Sequence, residues 1–113
     1  MKNEIVEWSS VEWTPSRPDV ATGVTGHRLV PPNAEVLSVV LTRVRPAGRF
    51  ASHRDDYSHV FCFVEGSGKG RVGDDEYRIR PGLIVHVSSG TLHSYENTSP
   101  DDLVLFTVNY RLR

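Results

Sequence analysis

Residues 48–66 read GRFASHRDDYSHVFCFVEG and place two histidines and an aspartate around the start of an apolar run. His53 and Asp55 are two residues apart, so on an extended strand both side chains point to the same face. His59 opens the next predicted strand, which continues as HVFCFV to residue 64. This stretch therefore predicts two neighbouring strands that bring imidazole and carboxylate groups close together.

Residues 82–97, GLIVHVSSGTLHSYEN, hold a second candidate group. A tight turn at Gly90 would place His93 at the start of a strand. If these strands line one interior, three imidazoles and one carboxylate converge, contributed by His53, Asp55, His59 and His93. Such a set binds a divalent transition metal, and Mn, Fe, Ni, Co, Cu and Zn are all chemically reasonable. The competing interpretation is that each histidine is an unrelated surface or hydrogen-bonded residue.

The rest of the chain favours short strands throughout. Seven prolines and nine glycines punctuate the sequence, and no long window keeps a helical period without a breaker. Runs of apolar and β-branched residues recur at the spacing of an all-β sandwich or barrel. We predict an antiparallel β-sandwich or barrel over residues 35–113, preceded by an N-terminal arm with edge strands over residues 1–34.

Composition sets the limits of this hypothesis. A chain of 113 residues has room for one domain. The formal net charge of −1 disfavours nucleic acid and anionic membranes as partners. No apolar run approaches the roughly 20 residues of a membrane span, and the N-terminus lacks the apolar core of a secretory signal. Cys62 is the single cysteine, so no internal disulfide forms, and we expect a cytoplasmic protein.

The two histidine-bearing stretches resemble the two motifs of the cupin superfamily, in particular its small single-domain type-2 members. The first family pattern is G-x5-H-x-H-x3-4-E-x6-G, and the corresponding residues here are Gly48, His53, Asp55, His59 and Gly66, with four residues instead of five between Gly48 and His53. The second is G-x5-P-x-G-x2-H-x3-N, and the corresponding residues are Gly82, Ser88, Gly90, His93 and Asn97. The resemblance implies a double-stranded β-helix, or jelly-roll, that holds one divalent transition metal per chain.

Two ligand positions depart from the family pattern. Asp55 stands where the family usually has its second histidine, and His59 stands where it usually has glutamate. The inventory of three histidines and one carboxylate is therefore kept. If Asp55 ligates, its charge favours harder ions such as Mn or Fe(II). If it falls short of the metal, it is a candidate base or accepts a hydrogen bond from an imidazole.

Aromatic residues predict a pocket beside this site. Phe61 and Phe63 share parity with His59, so both are expected to line an apolar substrate pocket or simply to fill the core. Tyr57 and Tyr95 are candidate hydrogen-bond donors to a substrate, with packing as the alternative role. Cys62 has the opposite parity and is expected to face away as a buried thiol.

Two further residues each have two alternative roles. His86 shares parity with Ile84 on an apolar strand and is either an acid or base in the pocket or a satisfied core histidine. Arg43 follows the Leu37, Val39 and Leu41 face of a predicted strand. A charge on such a face needs a partner, which is either a substrate carboxylate or an acidic residue across the sheet.

For function, the resemblance implies a metal-dependent enzyme acting on a small oxygenated organic molecule. The metal would act as a Lewis acid or bind O2. We expect an oxygenase of the dioxygenase type first, and an isomerase or lyase of a sugar or keto acid second. A non-catalytic cupin that binds a small ligand is the third hypothesis. Exposed edge strands also predict a homodimer, with the N-terminal arm on the partner or folded back on its own barrel.

Overall fold

The structure is a computed structural model that describes residues 2–113. It is almost entirely β, as predicted, with one 3-10 turn at Trp8–Ser10. The strands are β1 (Glu4–Glu7), β2 (Thr14–Pro15), β3 (Thr25–Gly26), β4 (Ala34–Val44), β5 (Arg49–His53), β6 (Ser58–Glu65), β7 (Gly68–Val72), β8 (Asp75–Ile79), β9 (Leu83–Val87), β10 (His93–Glu96) and β11 (Leu103–Leu112). None of the helical structure in this part of the chain has the length and apolar character needed to cross a bilayer.

Two antiparallel sheets form a sandwich. The larger has the strand order β1-β9-β6-β11-β4, and the smaller has the order β5-β10-β7-β8. From β4 onward, each strand crosses to the other sheet, except that β7 and β8 form a hairpin within the smaller sheet. This is the jelly-roll arrangement predicted from the sequence. Strands β2 and β3 form a separate two-stranded ribbon in the N-terminal arm.

The main core lies between the two sheets. It is built from side chains at alternate positions of the facing strands, which is the pattern expected when one face of each strand is buried. Its members are Val44, Phe61, Phe63, Val72, Tyr77, Ile79, Leu83, Val85, Val87, Tyr95, Leu103 and Leu105.

A second apolar cluster lies on the outer face of the larger sheet. Here Val60, Cys62, Ile84 and Tyr110 are covered by residues of the N-terminal arm, including Leu29 and Val30. Cys62 faces away from the main core, as its parity predicts, and burial raises the pKa of its thiol to about 11. The thiol is therefore protonated and unreactive at neutral pH.

The N-terminal arm folds back on its own barrel. β1 pairs with β9, with Glu4 opposite His86 and Glu7 opposite Leu83. The amide of Trp8 donates to the carbonyl of Gly82, and the indole lies where a Cβ on Gly82 would be. The arm therefore occupies the β9 edge of the larger sheet, which leaves β4 as the opposite edge.

Candidate metal centre

Two of the predicted ligands come from paired strands of the smaller sheet. His53 is the last residue of β5 and His93 is the first residue of β10, and the two are direct cross-strand partners. Their ring centroids are 4.4 Å apart. The pairing register thus brings together two imidazoles that are forty residues apart in sequence.

The third imidazole reaches the same point from the larger sheet. His59 lies near the start of β6, and it is buried. Its ring centroid is 4.9 Å from that of His93. The cluster therefore spans the interior of the sandwich, with one sheet supplying two histidines and the other supplying one.

Asp55 lies at the centre of the three rings. Its Oδ2 is 2.9 Å from Nε2 of His59, 3.2 Å from Nε2 of His53 and 3.6 Å from Nε2 of His93. Strand β5 ends at His53, so Asp55 reaches this point from the following loop and not by alternation along a strand. The backbone amide of Gly90 donates to the carbonyl of Asp55 and joins this loop to the turn before His93.

The outer nitrogen of each ring has its own hydrogen-bond acceptor. Nδ1 of His53 lies 2.7 Å from the carbonyl of Ala51, and Nδ1 of His93 lies 2.8 Å from the carbonyl of Thr91. Because a carbonyl oxygen only accepts, both Nδ1 atoms carry the hydrogen. Nδ1 of His59 donates in the same way to Oδ1 of Asn109 at 2.7 Å. In the neutral rings, all three Nε2 lone pairs therefore point inward.

This donor set fits a divalent metal. The ligand atoms of His53, Asp55 and His93 lie within 4.8 Å of one another, and Nε2 of His59 joins this group through its contact with Oδ2 of Asp55. Lone pairs that face a carboxylate oxygen repel it unless a cation lies between them. Burial lowers the pKa of His93, which favours the neutral form that binds a metal. Imidazoles with a carboxylate are donors for Mn, Fe, Co, Ni, Cu or Zn.

A cavity of about 410 Å³ opens beside the cluster. Its wall is mainly aromatic and hydroxyl-bearing, and it includes Val40, Thr42, Phe50, Tyr57, Phe61, Tyr95, Thr107 and Asn109. None of the residues that line it in the described chain is lysine or arginine. Apart from Asp55 and the histidines, the cavity is uncharged.

The sequence profile of the cupin domain matches residues 40–109, which include all four converging residues and most of the cavity wall. The chain belongs to the cupin family. No functionally curated protein is significantly similar to this cupin.

Solved structures with the same fold have diverse activities. A predicted oxalate decarboxylase from Thermotoga maritima is 22% identical, with a TM-score of 0.64 and coverage of 68% of each chain. A predicted sugar phosphate isomerase from Acidithiobacillus ferrooxidans is 23% identical, with a TM-score of 0.59 and coverage of 66% of this cupin and 49% of that protein. A ribosomal oxygenase from Escherichia coli is 18% identical, with a TM-score of 0.62 and coverage of 69% and 24%. At these identities the likeness concerns the fold alone.

Three of the predicted pocket residues line the cavity of this cupin, and one lies deeper. Tyr57, Phe61 and Tyr95 are in its wall. Phe63 has the expected parity but belongs to the main core, where its ring contacts those of Phe61 and Tyr77. Parity set the direction of this side chain correctly. Phe63 is four residues beyond His59 on β6, so its ring lies deeper in the core than the cavity.

The structure does not bring Arg43 into the cavity. The cavity is lined by Val40 and Thr42, the alternate positions of β4, so Arg43 lies on the outer face of the sheet. It is exposed, and its Nε lies 3.8 Å from Oδ2 of Asp102. The predicted partner found beside this guanidinium is therefore the acidic residue. The guanidinium does not face the cavity, where a substrate carboxylate would bind.

His86 is likewise outside the cavity. It faces the outer side of β9 together with Ile84, under the N-terminal arm, and it pairs with Glu4 of β1. Its Nε2 is 3.8 Å from Oε1 of Glu4, and its buried Nδ1 has no hydrogen-bond partner among the described residues. Burial lowers the pKa of the ring. The sheet separates His86 from the cluster, so the predicted acid or base role in the pocket is not available to it.

Sequence reasoning missed several residues of the site. Asn109 holds His59, and its Nδ2 donates to Oγ of Ser38 at 2.9 Å. The signal was present, because Asn109 and Thr107 are polar residues at alternate positions in the apolar strand LVLFTVNY. Phe50, which also lines the cavity, precedes His53 by three residues.

A larger depression lies on the outer face of the smaller sheet, at about 760 Å³. It is charged, with three arginines and one lysine beside two glutamates. Lys69 pairs with Glu96, and Arg71 pairs with Glu76, at 3.5 and 3.6 Å. None of the three clustered histidines lines it. The smaller cavity is therefore the candidate site, because it alone contains the converging ligand atoms.

Proposed function

We propose that this cupin is a metal-dependent enzyme that acts on a small oxygen-bearing organic molecule, with oxygenase chemistry of the dioxygenase type as the leading reaction. The observation that carries the proposal is the convergence of three Nε2 atoms on Oδ2 of Asp55 beside an aromatic cavity. A divalent ion held there would supply Lewis acidity toward substrate oxygens and, if redox-active, a position for O2.

The charge of the cavity favours a neutral substrate. Proteins recognise carboxylates and phosphates with arginine or lysine, and neither lines this cavity in the described chain. Asp55 adds negative charge to the site. With a divalent ion held at the cluster, the ion and Asp55 together would carry one net positive charge. A dianionic sugar phosphate or dicarboxylate would therefore leave charge uncompensated, whereas a diketone or a catechol, which is neutral in solution and would bind as its monoanion, would not.

The cavity wall would orient such a molecule. Phe50 and Phe61 present aromatic surface, and their packing against a substrate would exclude water from the cluster. Thr42 and Thr107 offer hydroxyls at the wall. Burial raises the pKa of Tyr95 to about 12, so its hydroxyl stays protonated and able to donate at neutral pH.

Asp55 has two alternative roles in this proposal, as a metal ligand or as a base. As a fourth ligand it would set the charge of the metal site. As a free carboxylate it would accept a proton from substrate, since its Oδ2 lies between the imidazoles at the edge of the cavity. Tyr57, whose ring meets that of His59 edge to face at a centroid distance of 4.9 Å, would donate a hydrogen bond beside it.

The test is ligand binding and turnover by protein loaded separately with Fe(II), Mn, Ni, Co, Cu or Zn. We expect pentane-2,4-dione or catechol to bind more tightly than oxalate or a sugar phosphate, and O2 consumption with a redox-active ion. Tighter binding of the anionic compounds would contradict the proposed substrate class and favour an isomerase or lyase. Tight binding with no turnover for any ion would instead favour a non-catalytic ligand-binding cupin.

A further inference from the structure

The free edge of the larger sheet is unusually long and apolar. β4 has 11 residues, and among residues 2–113 no strand pairs with the side that faces away from β11. Its central part, residues 36–41, reads VLSVVL. Leu41 is 75% exposed and Val39 is 64% exposed. Exposed strand edges with apolar side chains are sites for pairing with another chain.

The other edges of the two sheets are protected in the usual ways. β1, β5 and β8 have four or five residues each. Two of them carry charges at several positions, as in the sequences EIVE and DEYRI. β4 is long, and no charged residue occurs between Glu35 and Arg43. Its one irregularity is a bulge at Leu37, so the regular, uncharged part of the edge runs from Ser38 to Thr42. It is the edge that is least suited to contact with water.

Both faces of β4 would gain from a neighbouring strand. On the outer face, Val39 lies opposite Val108 and Leu41 lies opposite Phe106 on β11. Phe106 and Val108 are partly buried against the outer apolar cluster, so the apolar surface of that cluster extends to the exposed side chains of β4. On the inner face, Val40 and Thr42 line the cavity beside the histidine cluster. A neighbouring strand would cover the apolar outer face and extend the cavity wall on the inner face.

We propose that β4 pairs antiparallel with β4 of a second copy of this chain, related by a two-fold axis near Val39. A strand edge paired with itself in this way satisfies the free amides and carbonyls of both copies. The N-terminal arm covers its own barrel, so it is not needed for the contact.

The charges at the ends of β4 select this orientation. Counted along the strand, an antiparallel pairing centred on Val39 brings Glu35 of one copy to Arg43 of its partner at both ends, within the one-residue shift that the bulge at Leu37 introduces. A parallel pairing would place like charges together. Within one chain, Glu35 pairs with Arg113 at 3.4 Å and Arg43 with Asp102 at 3.8 Å. These pairs are exposed and therefore weak, so both side chains are free to reorient.

The consequence for the site is structural. Val40 and Thr42 belong both to the edge strand and to the cavity wall, so the partner's β4 borders the cavity. Ser38, which accepts the hydrogen bond from Asn109, lies on the same strand. The dimer would hold in place one side of the cavity and the support of His59.

The experiment compares Val39→Lys with Val20→Lys in sedimentation equilibrium from 1 to several hundred micromolar. Val20 is the matched control, because it is 74% exposed in the N-terminal arm and far from β4 in sequence. We expect a dimer for the wild type and for Val20→Lys, and a monomer for Val39→Lys with an unchanged circular dichroism spectrum. A monomeric wild type, or a dimeric Val39→Lys, would overturn the proposal.

Charge reversal tests the orientation. Glu35→Arg and Arg43→Glu should each weaken dimerisation by at least several-fold, and the double variant should recover affinity toward the wild-type value. Hydrogen exchange should also show the β4 amides protected at high protein concentration and not at low concentration. Absence of recovery in the double variant, or exchange in β4 that is independent of concentration, would contradict antiparallel self-pairing.

Discussion

Nδ1 of His59 donates a hydrogen bond of 2.7 Å to Oδ1 of Asn109, its direct cross-strand partner on β11. Two neighbouring strands of the larger sheet therefore fix both the orientation and the tautomer of the imidazole. The opposite nitrogen, Nε2, is left to face Asp55 at 2.9 Å. Because Asn109 is itself held to Ser38, the support of this ligand extends to the edge strand β4.

Asn109→Leu should lower metal affinity without removing a ligand. The substitution leaves His59 without its acceptor, so the ring is free to rotate or change tautomer. Loss of such a partner typically costs about 10–100-fold in metal affinity. Competition with a chromophoric chelator measures the dissociation constant. Ser38→Ala should show a smaller loss in the same assay, and equal affinities for all three proteins would contradict the role of Asn109.

His93→Ala should remove most of the bound metal, because it deletes a buried ligand at the centre of the cluster. Elemental analysis of protein purified without added metal should give about one divalent ion per chain for the wild type. His27→Ala is the matched control, since that ring lies in the N-terminal arm against the carbonyl of Glu12. Full occupancy in His93→Ala would show that the site is assigned wrongly.

Asp55→Asn separates the two roles of the carboxylate. If Asp55 is a ligand, the variant should lose metal, since an amide oxygen is a weaker donor than a carboxylate. If it is a base, the metal should stay and turnover should fall by about 10²–10⁴-fold. Metal content and activity are measured on the same preparation. Unchanged values of both would exclude either role.

His86 should make the protein less stable in mild acid. Burial holds its pKa below the ordinary value of about 6.5, so the unfolded chain binds a proton more readily than the folded one. The free energy of unfolding should therefore decline as the pH falls through that value toward the folded-state pKa. Glu4 and His27 are the titratable groups near it, and they act in opposite directions.

Urea unfolding from pH 8 to pH 5 tests this in His86→Gln. The glutamine variant should show a shallower decline than the wild type, because its side chain does not titrate. His27→Gln serves as the comparison for a less buried ring in the same region. A decline in His86→Gln as steep as that of the wild type would assign the acid sensitivity to other groups.

Gly68→Ala should destabilise the fold. A Cβ at this position would overlap the backbone carbonyl oxygen of Glu96 on β10, so the two strands would have to separate. Such overpacking typically costs about 1–3 kcal/mol in the free energy of unfolding. At Gly26 the nearest atom is 4.0 Å away, so Gly26→Ala should change stability by no more than about 0.5 kcal/mol. Thermal unfolding of the two variants makes the comparison, and similar melting temperatures would contradict it.

Local sequence patterns were enough to predict the strands and the types of ligand residue. Alternation within a strand is a local property, so the shared face of His59, Phe61 and Phe63 was readable, as was the opposite face of Cys62. Gly90 marked a turn, and it has positive φ in the structure. The two motifs placed the histidines at strand ends, where the structure brings them together.

Which face of each strand lies in the interior depends on how the sheets pack, and the sequence did not reveal it. β4 and β9 are apolar on both faces, so parity grouped Arg43 with Leu41 and His86 with Ile84 without showing that both groups face outward. Asp55 reached the cluster through a loop whose path depends on its contact with Gly90. These features depend on sheet packing and loop contacts between residues distant in sequence, and local periodicity carries no information about either.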